Sequence, residues 1–328
     1  MKCNPSIATT LTKLALLLTA CTRAVSIPEG FPPPTEPPDN LSTSARIELG
    51  KKLFNDKRLS RTGEVSCASC HAQQFAFADP RPFSVGVAGR TGTRNAPPLF
   101  NLAWNNSFFW DGGAKTLEQQ AIGPITNPLE MDMTMTEVVK RVSSDPKYAP
   151  LFRDAYGADP RPDLITKAIA LFERTLVSGH SRYDRYARGD QSALNAAEKR
   201  GAEIAMGERG ECFHCHVGFN LTNNQFANNG MLTSDIGREK VTENTADRGK
   251  FKVPTLRNVA LTAPYMHDGS LTTLRDVVEH YSRGGQGHPN TDPTIQPLNL
   301  TAQEKNDLIA FLGSLTDDTF TRDDHHTH

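Results

Sequence analysis

The spacing of apolar residues along the chain predicts helices. The most regular stripe lies in residues 163–177 and repeats at the spacing of one helical face. It consists of Leu164, Ile165, Ala168, Ile169, Phe172 and Leu176. Similar patterns predict an amphipathic helix that begins near Ser42 and further helices over residues 193–205, 272–282 and 302–314. Alternation of apolar and polar residues never lasts long enough to suggest a sheet, so the predicted fold class is mainly α.

Three segments lack a helical pattern. Residues 72–112 are rich in Gly, Pro and Asn, and they are predicted to form long ordered loops, which in a compact domain are usually functional. The prolines of residues 22–41 predict an extended tether rather than a packed element. Residues 317–328 form a polar tail that is expected to be disordered. The tail ends in histidines that could bind a metal weakly, His325, His326 and His328.

The first residues have the features of an export signal. Lys2 and Lys13 precede a short apolar run over residues 14–18, which is far shorter than the ~20 residues that span a bilayer. Residues 1–21 are therefore predicted to direct export to the periplasm. The end of this segment also resembles a lipobox, so lipid anchoring through Cys21 stays open beside ordinary cleavage of the signal.

Composition and charge narrow the classes of function. With 328 residues, the chain is long enough for about two domains. The formal net charge is −1 and no basic run is present, so nucleic acid is not expected as a partner. Only 7% of the residues are aromatic. A covalent cofactor could therefore fill part of the core volume.

The cysteines predict such a cofactor. Two C-x-x-C-H motifs are present, Cys67-Ala68-Ser69-Cys70-His71 and Cys212-Phe213-His214-Cys215-His216. In this motif both thiols add to the haem vinyl groups while the adjacent histidine reaches the iron. We therefore predict two covalent c-type haems with His71 and His216 as proximal iron ligands. His214, between the second pair of cysteines, is expected to be a surface or spacer residue.

Each half of the chain repeats one plan: a helix, a C-x-x-C-H motif, a loop-rich stretch and closing helices. This repetition predicts two cytochrome c domains, over residues 42–185 and 186–316. The second axial ligand of each iron decides what each haem can do. No histidine lies between His71 and His180, and the methionines of that interval lie together (Met131, Met133 and Met135), so the first iron can be five-coordinate. For the second iron, spacing alone cannot choose among Met231, Met266, His267, His280, Tyr281 and His288.

Seven further sequence motifs occur in a fixed order along the chain with the haem motifs. They are Asn95-Ala96-Pro97, Phe109-Trp110-Asp111-Gly112, Glu118-Gln119-Gln120-Ala121, Gly123-Pro124-Ile125, Asn127-Pro128-Leu129-Glu130-Met131, Phe251-Lys252-Val253-Pro254-Thr255-Leu256-Arg257-Asn258 and Pro264-Tyr265-Met266-His267-Asp268-Gly269. With these motifs the chain resembles the bacterial dihaem cytochrome c peroxidase and MauG family over roughly residues 40–315.

The resemblance implies a role for several residues. Glu130 would be the acid/base beside the first haem, with Gln120 as its polar neighbour, because O–O cleavage needs a proton moved between the peroxide oxygens. Trp110 would relay electrons between the two haems. One calcium ion between the haems would be bound through side-chain and backbone oxygens. Its implied ligands are Asn95, Thr262 and Pro264.

Two departures from the peroxidases favour the MauG-like (MbnH-like) branch. Many peroxidases carry a histidine ligand at the position that Val87 occupies here, so the first haem is expected to be open to peroxide. The peroxidases ligate the second haem with a methionine where this chain has Tyr281. MauG-like enzymes use a tyrosine there, and His280 remains the alternative ligand.

The resemblance therefore implies a haem peroxidase or oxidase. Hydrogen peroxide at the first haem would produce a high-valent state that oxidises an aromatic residue, such as tryptophan, of a periplasmic partner protein. The alternative is a peroxidase that draws electrons from a small cytochrome or cupredoxin. A simple electron carrier is a third possibility, and it requires two six-coordinate haems.

Overall fold

Residues 27–323 are described by a computed structural model of the chain. About 42% of the structure is helical, with little sheet. The buried apolar residues form two clusters, one in each half of the chain. The mainly α fold class with two cytochrome c-type domains is thereby confirmed.

The first lobe is built on a tight helix pair. Its α-helices are α1 (Ser44–Asn55), α2 (Cys67–Cys70), α3 (Leu117–Thr126), α4 (Met135–Ser144), α5 (Tyr148–Tyr156) and α6 (Pro162–Thr175). Helix α1 lies so close to α6 that a Cβ on Gly50 would fall 1.9 Å from the Ala168 carbonyl oxygen. Only glycine permits this approach. Phe54 and Phe172 then pack across the interface, with ring centroids 5.1 Å apart.

The second lobe repeats this arrangement. Its helices are α7 (Arg182–Ala187), α8 (Ala196–Met206), α9 (Glu239–Thr242), α10 (Leu274–Ser282) and α11 (Ala302–Ser314). A Cβ on Gly201 of α8 would fall 2.0 Å from the Asp307 carbonyl oxygen of α11. The same close glycine contact in both lobes agrees with an internal duplication.

The rest of the described chain is irregular. Two-residue strands, β1 (Phe226–Ala227) and β2 (Phe251–Lys252), pair antiparallel. The single-turn 3₁₀ helices are Lys57–Leu59, Gln73–Phe75, Val87–Gly89, Leu102–Trp104, Cys212–His214, Thr245–Asp247, Val259–Leu261 and Phe320–Arg322. Residues 72–112 contain only such turns and isolated β-bridges, as expected of long ordered loops.

The N-terminal segment packs against the body, which corrects the prediction of an unpacked tether. Residues 27–41 have no helix or strand, as their prolines require. The ring of Phe31, however, packs on Trp104 and Phe219 at centroid distances of 5.5 and 4.7 Å, and the Trp104 indole N–H donates to the Pro32 carbonyl at 2.9 Å. Residues 22–26 and the predicted signal, with Cys21, lie outside the described residues.

The C-terminal segment is also ordered as far as residue 323, so the expectation of a disordered tail is wrong there. Phe320 is buried and packs on Phe77 at a centroid distance of 5.6 Å. The Asp317 carboxylate accepts hydrogen bonds from the backbone N–H groups of Gly179 and His180, at 3.0 and 2.9 Å. The three tail histidines lie outside the described residues. Between residues 27 and 323, none of the helices has the length and apolar character needed to cross a membrane.

Candidate haem sites

The first C-x-x-C-H motif presents its histidine in the form that binds iron. Cys67 and Cys70 delimit the single turn α2, and His71 follows it. The His71 Nδ1–H donates to the Phe77 carbonyl at 2.8 Å, which leaves Nε2 free as a ligand. Burial lowers the pKa of His71 and so keeps the imidazole neutral. These residues fit a proximal haem ligand.

The second motif has the same arrangement. His216 donates from Nδ1 to the Leu221 carbonyl at 3.2 Å, and burial lowers its pKa to about 4. Beside it lies a largely apolar cavity, here called the second-lobe cavity, which is also lined by Cys212 and Cys215. Two thiols for the vinyl groups, a neutral imidazole for the iron and an apolar cavity for the ring are what a covalent haem requires. His214 is exposed and bonds the Glu211 carboxylate at 2.5 Å, as expected of a surface residue.

Three of the candidate ligands for the second iron line the second-lobe cavity with His216. They are Met266, His267 and Tyr281. The Met266 sulfur accepts a hydrogen bond from Asn229 at 3.1 Å, and the His267 ring stacks on Phe251 at 3.8 Å. Burial raises the pKa of Tyr281 to about 12, so its phenol keeps its proton unless a metal replaces it.

The remaining candidates do not line this cavity. His280 bonds the Asn229 carbonyl through Nε2 at 2.8 Å, and His288 Nδ1 lies 2.8 Å from the Asn228 amide nitrogen. Met231 is buried away from the cavity lining as well. The geometry therefore favours Tyr281 over its neighbour His280.

Glu130 lies beside the first haem motif. Burial is the main cause that raises the pKa of the Cys67 and Cys70 thiols, and Glu130 lies close enough to both for its charge to add a minor part. Its Oε1 accepts a hydrogen bond from the Asn127 amide at 2.7 Å, and burial raises its pKa above the ordinary glutamate value. Gln120 lies half-buried on α3, and among residues 27–323 no hydrogen bond joins its side chain to Glu130.

Val87 lies directly against the Glu130 segment. It is 1% exposed, and its backbone N–H donates to the Glu130 carbonyl at 2.8 Å. The adjacent Gly86 permits this contact, because a Cβ there would fall 2.1 Å from the Leu129 carbonyl oxygen. Val87, the position at which the resemblance implies a ligand histidine in many peroxidases, carries an apolar side chain that cannot bind iron.

Trp110 connects the two lobes. It belongs to a first-lobe loop yet lines the second-lobe cavity. Its indole N–H donates to the Asn95 carbonyl at 2.8 Å, and its own carbonyl accepts from the Lys252 backbone N–H at 2.7 Å. The first hydrogen bond holds the indole ring, and the second holds the Trp110 backbone against β2.

The residues implied as calcium ligands also line the second-lobe cavity. They are Asn95, Thr262 and Pro264. The Asn95 amide nitrogen donates to the Arg81 carbonyl at 2.9 Å, which leaves its side-chain oxygen available to a hard cation. The described residues contain no cluster of three or more His, Cys, Asp or Glu side chains suited to a metal. Calcium binding through amide and backbone oxygens remains a prediction.

Two charged residues near the haem motifs, the half-buried Lys252 and the buried Glu173, were not singled out from the sequence. Lys252 lines the second-lobe cavity. In the sequence it was noted only as part of the motif over residues 251–258, without a role of its own. Glu173 lies on the buried helix α6, is 3% exposed and has one carboxylate oxygen without a hydrogen-bond partner. Burial raises the pKa of Glu173 to about 8. The sequence signal for Glu173 was a charged residue within the apolar stripe of residues 163–177.

Comparison with known proteins places these features in a family. The model of the di-haem cytochrome c peroxidase family matches residues 44–192, and that of cytochrome c matches residues 198–316. The methylamine utilization protein MauG of Methylorubrum extorquens is 43% identical, over 88% of this chain and 82% of that protein. Cytochrome c551 peroxidase of Nitrosomonas europaea is 41% identical, over 83% of this chain and 80% of the relative. The crystal structure of a MauG-like protein associated with microbial copper homeostasis superposes with a TM-score of 0.85 at 37% identity, covering 90% of this chain and 96% of that one.

Proposed function

The chain belongs to the bacterial dihaem cytochrome c peroxidase and MauG family, and from this premise we propose that it is a MauG-like oxidase of a partner protein. Membership of the family makes it a haem-dependent oxidoreductase with two haem cofactors. The finer proposal is that hydrogen peroxide oxidises the chain at the first lobe. The stored oxidising power then removes electrons from an aromatic residue, such as tryptophan, of a periplasmic protein.

One observation carries this proposal: Tyr281 and His216 line the same cavity beside the second C-x-x-C-H motif. A phenolate from Tyr281 would stabilise the oxidised forms of the second iron better than a thioether would. The second lobe would then hold an oxidising equivalent until a partner arrives.

The first lobe would react with peroxide. When bound, its haem supplies the iron at which the O–O bond is cleaved. Glu130 takes a proton from the inner peroxide oxygen and returns it to the outer oxygen, which leaves as water. Burial favours this role, since a raised pKa brings Glu130 closer to the working pH. Val87 keeps the position beside Glu130 free of a competing ligand.

The two lobes would act together through Trp110. Its indole would pass an electron from the second lobe to the first. A calcium ion on Asn95, Thr262 and Pro264 would hold the loop segments that frame Trp110, since Asn95 itself accepts the indole hydrogen bond. The periplasm, reached through the predicted signal, would supply the partner, and Cys21 would provide a lipid anchor if it is modified.

A second candidate function is a cytochrome c peroxidase that takes electrons from a small cytochrome or cupredoxin. Met266 favours it, because this methionine lines the same cavity as Tyr281 and its sulfur lies within 3.1 Å of the Asn229 amide nitrogen. A thioether ligand would suit an iron that cycles between ferrous and ferric states. The name of the Nitrosomonas europaea relative is that of such a peroxidase.

The two functions predict different results when peroxide is added to the purified ferric protein. A MauG-like oxidase should yield a persistent oxidised spectrum without any electron donor. Proteins encoded by neighbouring genes should discharge that state and gain an oxidised aromatic residue that mass spectrometry detects. Rapid steady consumption of peroxide with reduced cytochrome or cupredoxin, and no persistent oxidised state, would establish the peroxidase instead.

A further inference from the structure

Lys252 is a half-buried cation that lines an apolar cavity, and no carboxylate of residues 27–323 pairs with it. It lies on β2 and lines the second-lobe cavity together with His216 and Tyr281. Within residues 27–323, its ammonium group makes no hydrogen bond or ion pair. Burial is the sole cause that lowers its pKa, to about 8, so no carboxylate of the described residues offsets the loss of hydration. An unpaired charge that is partly withdrawn from water in this way is costly unless a ligand pairs with it.

Neighbouring cations differ in this respect. Lys250, two residues earlier, pairs with the Asp247 carboxylate at 3.0 Å. Arg257 is 4% exposed and pairs with Asp184 at 2.9 Å. The acidic residue in the cavity lining is Glu211, and its carboxylate is held by His214 at 2.5 Å. Among the described residues, Lys250 and Arg257 thus each have a carboxylate partner, and Lys252 has none.

The second haem carries its own anions. A haem has two propionate carboxylates, and the C-x-x-C-H motif beside Lys252 fixes where the second haem is attached. We propose that the Lys252 ammonium group binds a propionate carboxylate of the second haem and stabilises the reduced iron through its charge. This inference depends on the two haems of the family and not on the peroxide reaction.

The charge of Lys252 also bears on oxidation of Trp110, because the two residues are joined by a backbone hydrogen bond. The Lys252 N–H donates to the Trp110 carbonyl at 2.7 Å, so the cation is attached to the strand that borders the relay residue. An unneutralised positive charge there would oppose removal of an electron from the indole. Pairing Lys252 with a propionate offsets part of that opposition at the indole.

The test is a redox titration of the haem-loaded protein carrying Lys252→Met, Lys252→Arg or the control Lys250→Met. Loss of the charge at position 252 should lower the equilibrium constant for reduction of the second haem by roughly tenfold, which is ~59 mV for a one-electron couple. Lys252→Arg should restore most of the potential, and Lys250→Met should match the wild type. Equal potentials in Lys252→Met and Lys250→Met would overturn the proposal.

Haem retention gives a second measurement if Lys252→Met assembles poorly. Loss of the second haem in Lys252→Met, with retention in Lys252→Arg and Lys250→Met, would support a carboxylate held by a cation. Equal loss in Lys252→Met and Lys252→Arg would contradict it, because charge would then not be what the site requires. Neither readout depends on peroxide turnover, so a failure here is distinguishable from a failure of the proposed function.

Discussion

Tyr281 and His280 are neighbours on α10, yet their side chains lie in different surroundings. Successive residues of a helix point about 100° apart. Tyr281 therefore faces the second-lobe cavity while His280 bonds the Asn229 carbonyl. Spacing in the sequence left both residues open as ligands, because their distances from the haem motifs along the chain differ by a single position. The packing of α10 separates them.

Glu130 gives a prediction for the peroxide reaction. Glu130→Gln removes the group that moves the proton, so the rate of peroxide cleavage should fall by about two to four orders of magnitude. In the wild type the same rate should decline as the pH falls through the pKa of Glu130, which burial places above the ordinary glutamate value. Stopped-flow absorbance after mixing with peroxide measures both effects. Glu64→Gln, an exposed change in the same lobe, is the control, and an unchanged rate in Glu130→Gln would make Glu130 a structural residue.

Glu173 gives a prediction for stability. Its pKa is raised from the ordinary 4.5 to about 8, so the folded protein holds a proton that the unfolded chain releases between these pH values. The free energy of unfolding should therefore fall as the pH rises from about 4.5 to 8. The decline in the free energy of unfolding should reach roughly 2–5 kcal/mol at pH 8. Glu173→Gln should remove it. Denaturant unfolding of both proteins at pH 5 and pH 8 is the measurement, and parallel pH dependence would show that folding does not raise the pKa of Glu173.

At the scale of elements, the longest amphipathic helices and the nine-residue α10 were predictable, whereas three helices of the first lobe were not. The stripes over residues 163–177 and 302–314 correspond to α6 and α11 because each has enough turns for its apolar face to repeat. Helices α3, α4 and α5 were not predicted. They have only 10, 10 and 9 residues, and α3 contains Pro124. The capping box of Thr134 and Glu137 was the signal that α4 offered.

The turn at Gly86 gives a prediction about two loops. Gly86→Ala should force this turn away from Leu129 and Glu130, whose carbonyl oxygens would lie 2.1 and 2.6 Å from the new Cβ. A shift of about 1 Å in Glu130 should slow the peroxide reaction by up to roughly 10²-fold. Gly92→Ala is the matched control, because a Cβ at Gly92 meets no atom within 4 Å. Equal peroxide rates in the two variants would mean that the turn does not position Glu130.

At the scale of the whole molecule, polar contacts and chain ends hold the lobes together. Arg94 of the first lobe reaches Asp235 of the second at 2.6 Å, and the buried Asn101 amide donates to the Asn220 side chain at 3.0 Å. Phe320 returns from the end of the described chain to the first core. These connections join residues far apart in sequence, and only the folded chain reveals them.

The family and the duplicated architecture were predictable because both haem motifs and the seven further motifs occur together. The packing of the chain ends was not. Phe31 and Phe320 are single aromatic residues within Pro-rich or polar segments, so no periodicity marked them as buried. The calcium ligands and the residue roles remain predictions, since they depend on groups that a sequence pattern can imply but not place.

Trp110 gives a prediction about communication between the lobes. Trp110→Phe keeps an aromatic ring but removes the indole and its hydrogen bond to the Asn95 carbonyl. Oxidation of the second haem after peroxide addition should become slower, while the first haem reacts at the wild-type rate. Trp104→Phe is the matched control. It also loses an indole hydrogen bond to a carbonyl, that of Pro32, but away from the second-lobe cavity. Time-resolved spectra of the two variants make the comparison, and equal rates would exclude Trp110 as the relay.

Storage of oxidising power in the second lobe depends, in the proposed function, on Tyr281. The most direct measurement is the spectrum of the ferric protein after one equivalent of peroxide, in the wild type, Tyr281→His and the adjacent control His280→Gln. We expect a persistent oxidised state in the wild type and His280→Gln, and its loss in Tyr281→His with both haems still attached. Survival of that state in Tyr281→His would show that the tyrosine is not what stabilises it.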